Sequence, residues 1–562
     1  MNTFSRLLLL STLLFAASAG WAGDTPDLFV VHKIRQEAFK KSQVMEHLFY
    51  MTDVYGPRLT RSPGIQDGAQ WVLEKVREWG LDNVHLEPWG PYGRGWSTSY
   101  FSAHLLEPQY APLIGMPLAW TPGTDGVISG TPMLTPLDWG WKIEERERAL
   151  ADFIEEYRGQ LRDQILLLRH PPHLEESAKA PSERLNHEQL SKRAQAPKLV
   201  EPIEIDPADP QVPDDPYDRE RFYAHAPRPV REQMREKRRQ QLYRLNQFLV
   251  EEGARLVIHP AWRGDGGTIF PPRVGWHAED AVDPPPSIAL TPEHYNRLAR
   301  LVKEGVGCRV QVETRATFHR EHEPANAVAE IPGGKKRDEV VIIGAHFDDV
   351  VYATGATDNA AGCAVMLEVM RILKKLDLKM DRTVRMVLWS GEEQGLLGSK
   401  AYVKAHYGDV QTMELKPAHA KVSAYYNLDN GTGKIRGVYL QENDMVKPIF
   451  RSWLRPFADL DAETIAWRNT GGTDHLPFDR LGIPGFQFIQ DPVEYRSRTH
   501  HSNMDVYDRV QPGDLMQASA IIASFVYHTA NRDELLPRKP LPEAWPVEAR
   551  SVNEESAVAG RP

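Results

Sequence analysis

Two histidines and five carboxylates, spread between residues 346 and 501, are the side chains in this sequence best suited to chemistry. His346 and Asp348 follow the apolar run VVIIG, in AHFDD; Asp358 lies in ATDNAAG; Glu392 and Glu393 follow TVRMVLW, in SGEEQG; Asp429 ends YYNLDNGTG; His501 lies in THHSNMD. Imidazole nitrogen and carboxylate oxygen are the donors zinc takes when thiolates are lacking, and a catalytic site must leave a position open for water. Thiolates are indeed scarce: Cys308 and Cys363 are the only cysteines, and Cys363 falls in the helical pattern AAGCAVMLEVM, as a small core residue would.

Taken singly, each residue has an ordinary explanation. A His-x-Asp arises by chance, two glutamates side by side usually face solvent, Asp358 would cap a helix, and Asp429 would serve a turn. Their joint occurrence at strand ends is what points to a metal site, since chemistry in an open α/β sheet gathers there. Two ions about 3.5–4 Å apart need a carboxylate that reaches both. Five ligands with one shared carboxylate then give each ion three protein contacts. Asp348, two residues past His346, is expected to hold the other ring nitrogen and fix the tautomer. Neighbouring residues at a strand end point apart, so one glutamate of the pair can coordinate while the other faces the water as general base.

The elements that must place these residues alternate. Val340 to Ile343, Thr383 to Trp389, Val422 to Leu428 and Ile483 to Ile489 read as strands; Asn359 to Leu373, Gln394 to His406 and Gln511 to Ala530 read as helices. Apolar strands interleaved with helices imply an α/β fold, a mostly parallel mixed sheet flanked by helices. Upstream, helices are expected from Asp27 to about Tyr50 and from Ile65 to Trp79, with the Gly/Pro loop GPRLTRSPG between them and a strand from Asn83 to Trp89.

At 562 residues the chain should hold more than one core. We expect a first catalytic part at 27–111, a smaller β-rich inserted domain at 112–318, and a second catalytic part at 319–531. Within the insertion, 171–227 is a Pro-rich, charged excursion whose composition builds no core. Residues 532–562 are expected to form a flexible tail. Residues 1–22 place Arg6 before the apolar run Leu7–Ala17 and small residues after it, the layout of a secretory signal peptide, so the expected location is periplasmic or secreted. No later stretch has the length of a membrane span. A net charge of −10 argues against nucleic acid as partner; peptides are the expected substrates, and a homodimer is left open.

Five segments in order (AHFDDVVYATGATDNAAG, SGEEQGLLGSKAY, NLDNGTG, GGTDHLPFDRLGIPGF and HHSNMD) resemble the co-catalytic zinc exopeptidases that include secreted aminopeptidases and carboxypeptidase Q. The resemblance spans about residues 326–510, and the insertion resembles a protease-associated domain. It implies two Zn2+ per chain, one held by His346, Asp358 and Asp429, the other by Asp358, Glu393 and His501, with Glu392 as the base. It implies a cis peptide at Asp358-Asn359. Some relatives have a tyrosine near the T-D-H motif as oxyanion donor; here Thr470-Gly471-Gly472 stands there, and His475 is the substitute candidate, with Tyr495 and Arg496 behind it. His500 is a candidate for a place behind the ligands. The implied reaction is hydrolysis of a terminal peptide bond. Competing expectations are aminoacyl cyclisation at a single zinc, as in glutaminyl cyclases, and a binding protein on the same scaffold. Arg468, Arg496 and Arg498 are the cations near enough in sequence to meet a substrate carboxylate.

Overall fold

The computed structural model describes residues 24–140, 142–174, 176, 180–195, 228–542 and 544. The signal peptide expected at 1–22, part of the 171–227 excursion and the end of the chain lie outside the described residues.

The catalytic body is built on an eight-stranded sheet ordered Asp82–Pro88, Ala325–Ile331, Arg382–Trp389, Lys336–His346, Val422–Asn427, Gly485–Gln490, Ile435–Tyr439 and Thr464–Ala466. The central four strands are mutually parallel, and antiparallel pairings join the outer ones, so the sheet is mixed. The central strands are buried almost throughout, as strands covered on both faces must be. Ala361–Lys375, Pro512–Asn531, Leu28–Lys40 and Pro63–Glu78 cover one face within a single apolar cluster. Tyr402 and Val403 of the Leu397–His406 helix and Phe478 of His475–Arg480 pack on the other.

The stretch between residues 95 and 319 forms two further sheets. Gly95–Glu107 and Arg309–His319 pair antiparallel along their length in a four-stranded sheet. A five-stranded sheet follows the order Gly115–Pro117, Ser287–Leu290, Leu256–Pro260, Ile165–Leu167 and Pro132–Leu134. None of the helices among the described residues is long and apolar enough to cross a membrane.

Three expectations need adjusting. The first helix breaks into Leu28–Lys40 and Val44–Phe49, because the intervening Lys41-Ser42-Gln43 offers no apolar side chain to the sheet. Residues 532–539 do not form a free tail: Leu536 is buried, Arg538 donates to the carbonyls of His419 and Val422, and Lys539 pairs with Asp479 at 2.7 Å. Residues 181–194 of the excursion also dock. Glu183 and Val493 exchange backbone hydrogen bonds, Leu185 and Leu190 join a small apolar cluster with Ile489, and Arg184 reaches Asp491 and Asp514. In both segments a few apolar residues and charge partners suffice where average composition suggested none.

Candidate metal centre

His346 ends a strand whose parallel partner ends at Trp389, so the loops carrying His346 and Glu392-Glu393 leave the sheet side by side. Asp429 follows the next strand, which pairs on the other side of His346's strand. His501 comes after Gly485–Gln490, one strand further along. Parallel order therefore brings these four loops to one edge of the sheet.

The loop between His346 and Asp358 is fixed by Arg58, from the GPRLTRSPG segment. Its buried guanidinium donates to the carbonyls of Phe347, Met51, Thr354 and Gly355. Its backbone N–H donates to Asp349 at 2.8 Å. Gly355 has φ +60°, and a Cβ there would lie 2.5 Å from that of Asp349, so the tight return to Asp358 requires glycine. Asp358 then sits where Asp505 accepts from the backbone N–H groups of Thr357 and Asp358. The peptide Asp358-Asn359 is cis.

The geometry converges on Asp358. Its Oδ1 is 3.2 Å from His346 Nε2, and its Oδ2 is 3.1 Å from His501 Nε2. His501 Nε2 is 3.0 Å from Glu393 Oε2, and His346 Nε2 is 3.7 Å from Asp429 Oδ2. One carboxylate thus stands between two imidazoles, each with a further carboxylate of its own. His500 Nε2 is 3.7 Å from Asp358 Oδ2, and its ring stacks on His501 at 3.8 Å. Tyr495 donates its hydroxyl to Asp358 Oδ1 at 2.9 Å. His501 holds a left-handed backbone, φ +59°, uncommon for a residue with a side chain.

Two observations test whether these groups suit a metal. Asp358 Oδ2 and Glu393 Oε1 are buried without any hydrogen-bond donor, a costly state for carboxylate oxygens. Second, His346 Nδ1 lies 2.9 Å from the carbonyl of Asp348, which can only accept, so Nδ1 carries the proton and Nε2 presents a lone pair to carboxylate oxygens. Lone pairs facing each other need a cation between them. Without metal a proton fills the place: although desolvation pulls the other way, Glu393 and Asp358 hold the His501 imidazolium up to about 11. The donor set fits zinc.

Asp348 differs from the expectation. Its carboxylate lies 3.9 Å from His346 Nδ1, because its own backbone carbonyl occupies that nitrogen. The carboxylate instead accepts from the N–H groups of Glu392 and Glu393 and from the Thr60 hydroxyl. It shapes the glutamate turn rather than the histidine. Burial, reinforced by Glu393, pushes Asp348 up to about 7.

Glu392 keeps partial contact with solvent, yet desolvation and the nearby Asp474, Glu393 and Asp429 raise its carboxyl well above the usual range.

His475 is a correction. It is wholly buried, its Nε2 meets the Thr470 carbonyl at 3.0 Å, and burial holds it neutral, with a pKa near 4. A neutral ring that donates from Nε2 has only a lone pair at Nδ1, so it has no proton for an oxyanion. Tyr495, Arg58, Thr60 and Asp505 are the further residues around the centre. Arg58 and Thr60 lie in the GPRLTRSPG loop, Asp505 lies in Ser-x-x-Asp after His501, and Tyr495 was expected behind His475.

Among known proteins, residues 326–526 match the family described as Peptidase family M28. Carboxypeptidase Q of Mus musculus is 29% identical over 272 residues, covering 48% of this chain and 56% of that enzyme. The chain thus spans about half the length of that curated relative. A solved peptidase M28 precursor from Shewanella amazonensis SB2B superimposes with a TM-score of 0.60 at 23% identity, over 92% of this chain and 98% of that one. A solved zinc aminopeptidase from Bacillus subtilis gives 0.50 at 16% identity, over 89% and 97%. At such identities these structures speak for the fold: a large mixed sheet flanked by helices.

Proposed function

We propose, from the match of residues 326–526 to Peptidase family M28, that the chain is a co-catalytic zinc exopeptidase that hydrolyses the terminal peptide bond of short peptides with two zinc ions. The observation that carries this reading is the Asp358 carboxylate divided between His346 and His501, with orphaned acceptor oxygens around it. His346, Asp358 and Asp429 would hold one ion, and Asp358, Glu393 and His501 the other. A zinc pair held there would supply Lewis acidity toward the scissile carbonyl and a lowered pKa for water.

The chain's own groups do the rest. Glu392 removes a proton from the attacking water and returns it to the leaving amine. Its raised affinity for a proton suits a group that must hold one between the two transfers. Asp348 orients both glutamates through their backbone N–H groups. Tyr495 holds the Asp358 carboxylate in place by donating to Oδ1, while His501 approaches Oδ2. The carbonyl of Asp348 locks the His346 tautomer.

We read the sheets between residues 95 and 319 as a protease-associated domain. Export through the 1–22 leader completes the proposal.

The test is hydrolysis of unblocked dipeptides with zinc and with chelator, in wild type and Glu392→Gln. The variant should bind zinc as wild type does while kcat falls by roughly 10²–10⁴. Near-wild-type turnover in Glu392→Gln, or activity unmoved by chelator, contradicts the reading.

A further inference from the structure

The turn that carries Glu392 is held by side chains distant from it in sequence. Trp89 donates its indole N–H to the Ser390 hydroxyl at 2.9 Å, and the Asn326 side chain accepts from the Ser390 N–H at 3.1 Å. Gly391 turns with φ +73°, and a Cβ there would lie 2.6 Å from the Trp89 ring. The Gly391 N–H donates to the Thr60 hydroxyl at 2.9 Å, and those of Glu392 and Glu393 go to Asp348. Successive backbone N–H groups, from Ser390 to Glu393, thus all end on side chains brought from elsewhere.

Thr60 is wholly buried and ties two of these supports together. Its hydroxyl accepts from Gly391 and donates to Asp348 Oδ2 at 3.1 Å, the same oxygen that accepts from the Glu393 N–H at 3.3 Å. A hydroxyl has one proton, and here it is committed to that carboxylate. The residues around Thr60 fix where the hydroxyl stands. Two positions earlier, Arg58 is tied to carbonyls of the loop between His346 and Asp358. One position later, Arg61 donates to the carbonyls of Gly93, Arg320 and His322. Gly93 lies just ahead of the Gly95–Glu107 strand, and Arg320 and His322 follow Arg309–His319, so Arg61 grips the chain where it enters and leaves the inserted body. Thr60 therefore sits between two clamped arginines, and its hydroxyl sets the glutamate turn against the loop that carries His346.

The two glutamates of that turn depend on it unequally. Glu393 Oε2 lies 3.0 Å from His501 Nε2, a hold from outside the turn. Among the described residues no hydrogen bond reaches the Glu392 carboxylate, so its aim depends on the backbone that carries it. A loosened turn would fall on the base before it fell on the ligand. Misplacing a reacting group by about 1 Å can cost about 10²-fold in rate.

We infer that Thr60 is a positioning residue for the reaction: its hydroxyl holds the glutamate turn so that Glu392 meets the attacking water. This rests on the exopeptidase reading above. It gives the GPRLTRSPG loop a part in proton transfer, although none of its residues is placed among the metal ligands.

The test follows hydrolysis of an unblocked dipeptide by zinc-supplied wild type, Thr60→Val, Thr60→Ala and Thr60→Ser, with rates taken per zinc-loaded molecule. Valine keeps the branched shape without the hydroxyl, and alanine is the smaller deletion should the valine methyls crowd the site. Either should lower kcat roughly 10- to 100-fold while KM stays within about twofold and zinc content matches wild type. Thr60→Ser should recover most of kcat. Added to Glu392→Gln, Thr60→Val should cost little more, because the hydroxyl acts through the base. An unchanged kcat in the valine and alanine variants, a loss carried by KM or by zinc content, or losses that multiply in the double variant overturn the inference and leave the exopeptidase reading standing. Near-wild-type turnover by Glu392→Gln alone removes that reading, and the inference with it.

Discussion

Two buried clusters of histidine and carboxylate lie in the catalytic body, and they solve the same problem differently. Beneath the sheet, Glu368 and Glu37 are neutralised by Arg371, whose guanidinium donates to Glu368 at 2.8 and 2.9 Å and to Glu37 at 2.8 Å, with His47 3.3 Å from Glu368. At the strand ends, Asp358, Glu393 and Asp429 have no arginine or lysine ion pair among the described residues, and the cationic groups they face are imidazoles. A buried carboxylate requires a counter-charge. The first cluster carries its own; the second must obtain one from outside. That difference separates a structural ion pair from a metal centre more reliably than the residue types do, since the types are nearly the same.

The contrast breaks most visibly at Asp358. Asp358→Asn should abolish measurable hydrolysis and reduce zinc binding at both positions, because each imidazole loses its shared anion. Two tightly held zinc equivalents in that variant, measured by elemental analysis after dialysis, would remove the bridge.

Arg371→Met sharpens the other side. Leaving Glu368 and Glu37 buried without a cation should cost about 3–5 kcal/mol in denaturant unfolding. Zinc stoichiometry and turnover per folded molecule should stay at wild-type levels. A fall in zinc binding would mean the two clusters are one unit.

Zinc itself should separate them next. Ligand that binds only folded protein adds about 4 kcal/mol at a thousandfold excess over Kd. Thermal unfolding with and without zinc should show a clear rise in wild type and a much smaller one in Asp358→Asn.

The pH dependence of zinc-free protein has opposite signs in the two regions. His501 is held at about 11 against a usual 6.5, so its contribution is full below about pH 6.5 and is lost as pH rises toward 11. Arg371 and His47 lower Glu368 below its usual 4.5 despite desolvation, so its contribution is present above that value and is lost as pH falls through the lowered one. Stability of zinc-free protein followed from well below pH 4 to above pH 10 should therefore fall at both ends, and Arg371→Met should flatten only the acid limb. An alkaline limb unchanged by His501→Gln would contradict the assignment.

The smallest effect is expected at the docked excursion. Arg184 is half exposed and Asp491 retains Arg436, so Arg184→Ala should cost less than about 1 kcal/mol. A larger loss, read in the same unfolding assay, would give residues 181–194 a larger share in holding the Asp491–Thr499 segment.

Much of the fold was legible because burial writes itself into the chain as uninterrupted apolar runs: VVIIG and TVRMVLW could only be central strands. Ile435–Tyr439 and Thr464–Ala466 escaped because they are short, and Arg436 and Gly437 interrupt the first. The clustering of His346, Asp358, Glu393, Asp429 and His501 could be anticipated because parallel strands deliver their following loops to one edge. The part played by the Asp348 carboxylate could not be. Whether a ring nitrogen meets a side chain or the same residue's carbonyl depends on backbone torsions that spacing does not encode. His475 was misjudged for a related reason: its ring is turned into the protein by a hydrogen bond to Thr470, five residues earlier. The contact of Asn503 with Gly267 and Ile269 could not be anticipated, because the two segments lie more than two hundred residues apart in the chain.

The most direct measurement is the zinc content of purified, zinc-supplied wild-type protein after equilibrium dialysis. The account requires two ions per chain. One ion or none would show that the carboxylates at the strand ends are neutralised by protons alone, and the comparison with the Arg371 cluster would fail.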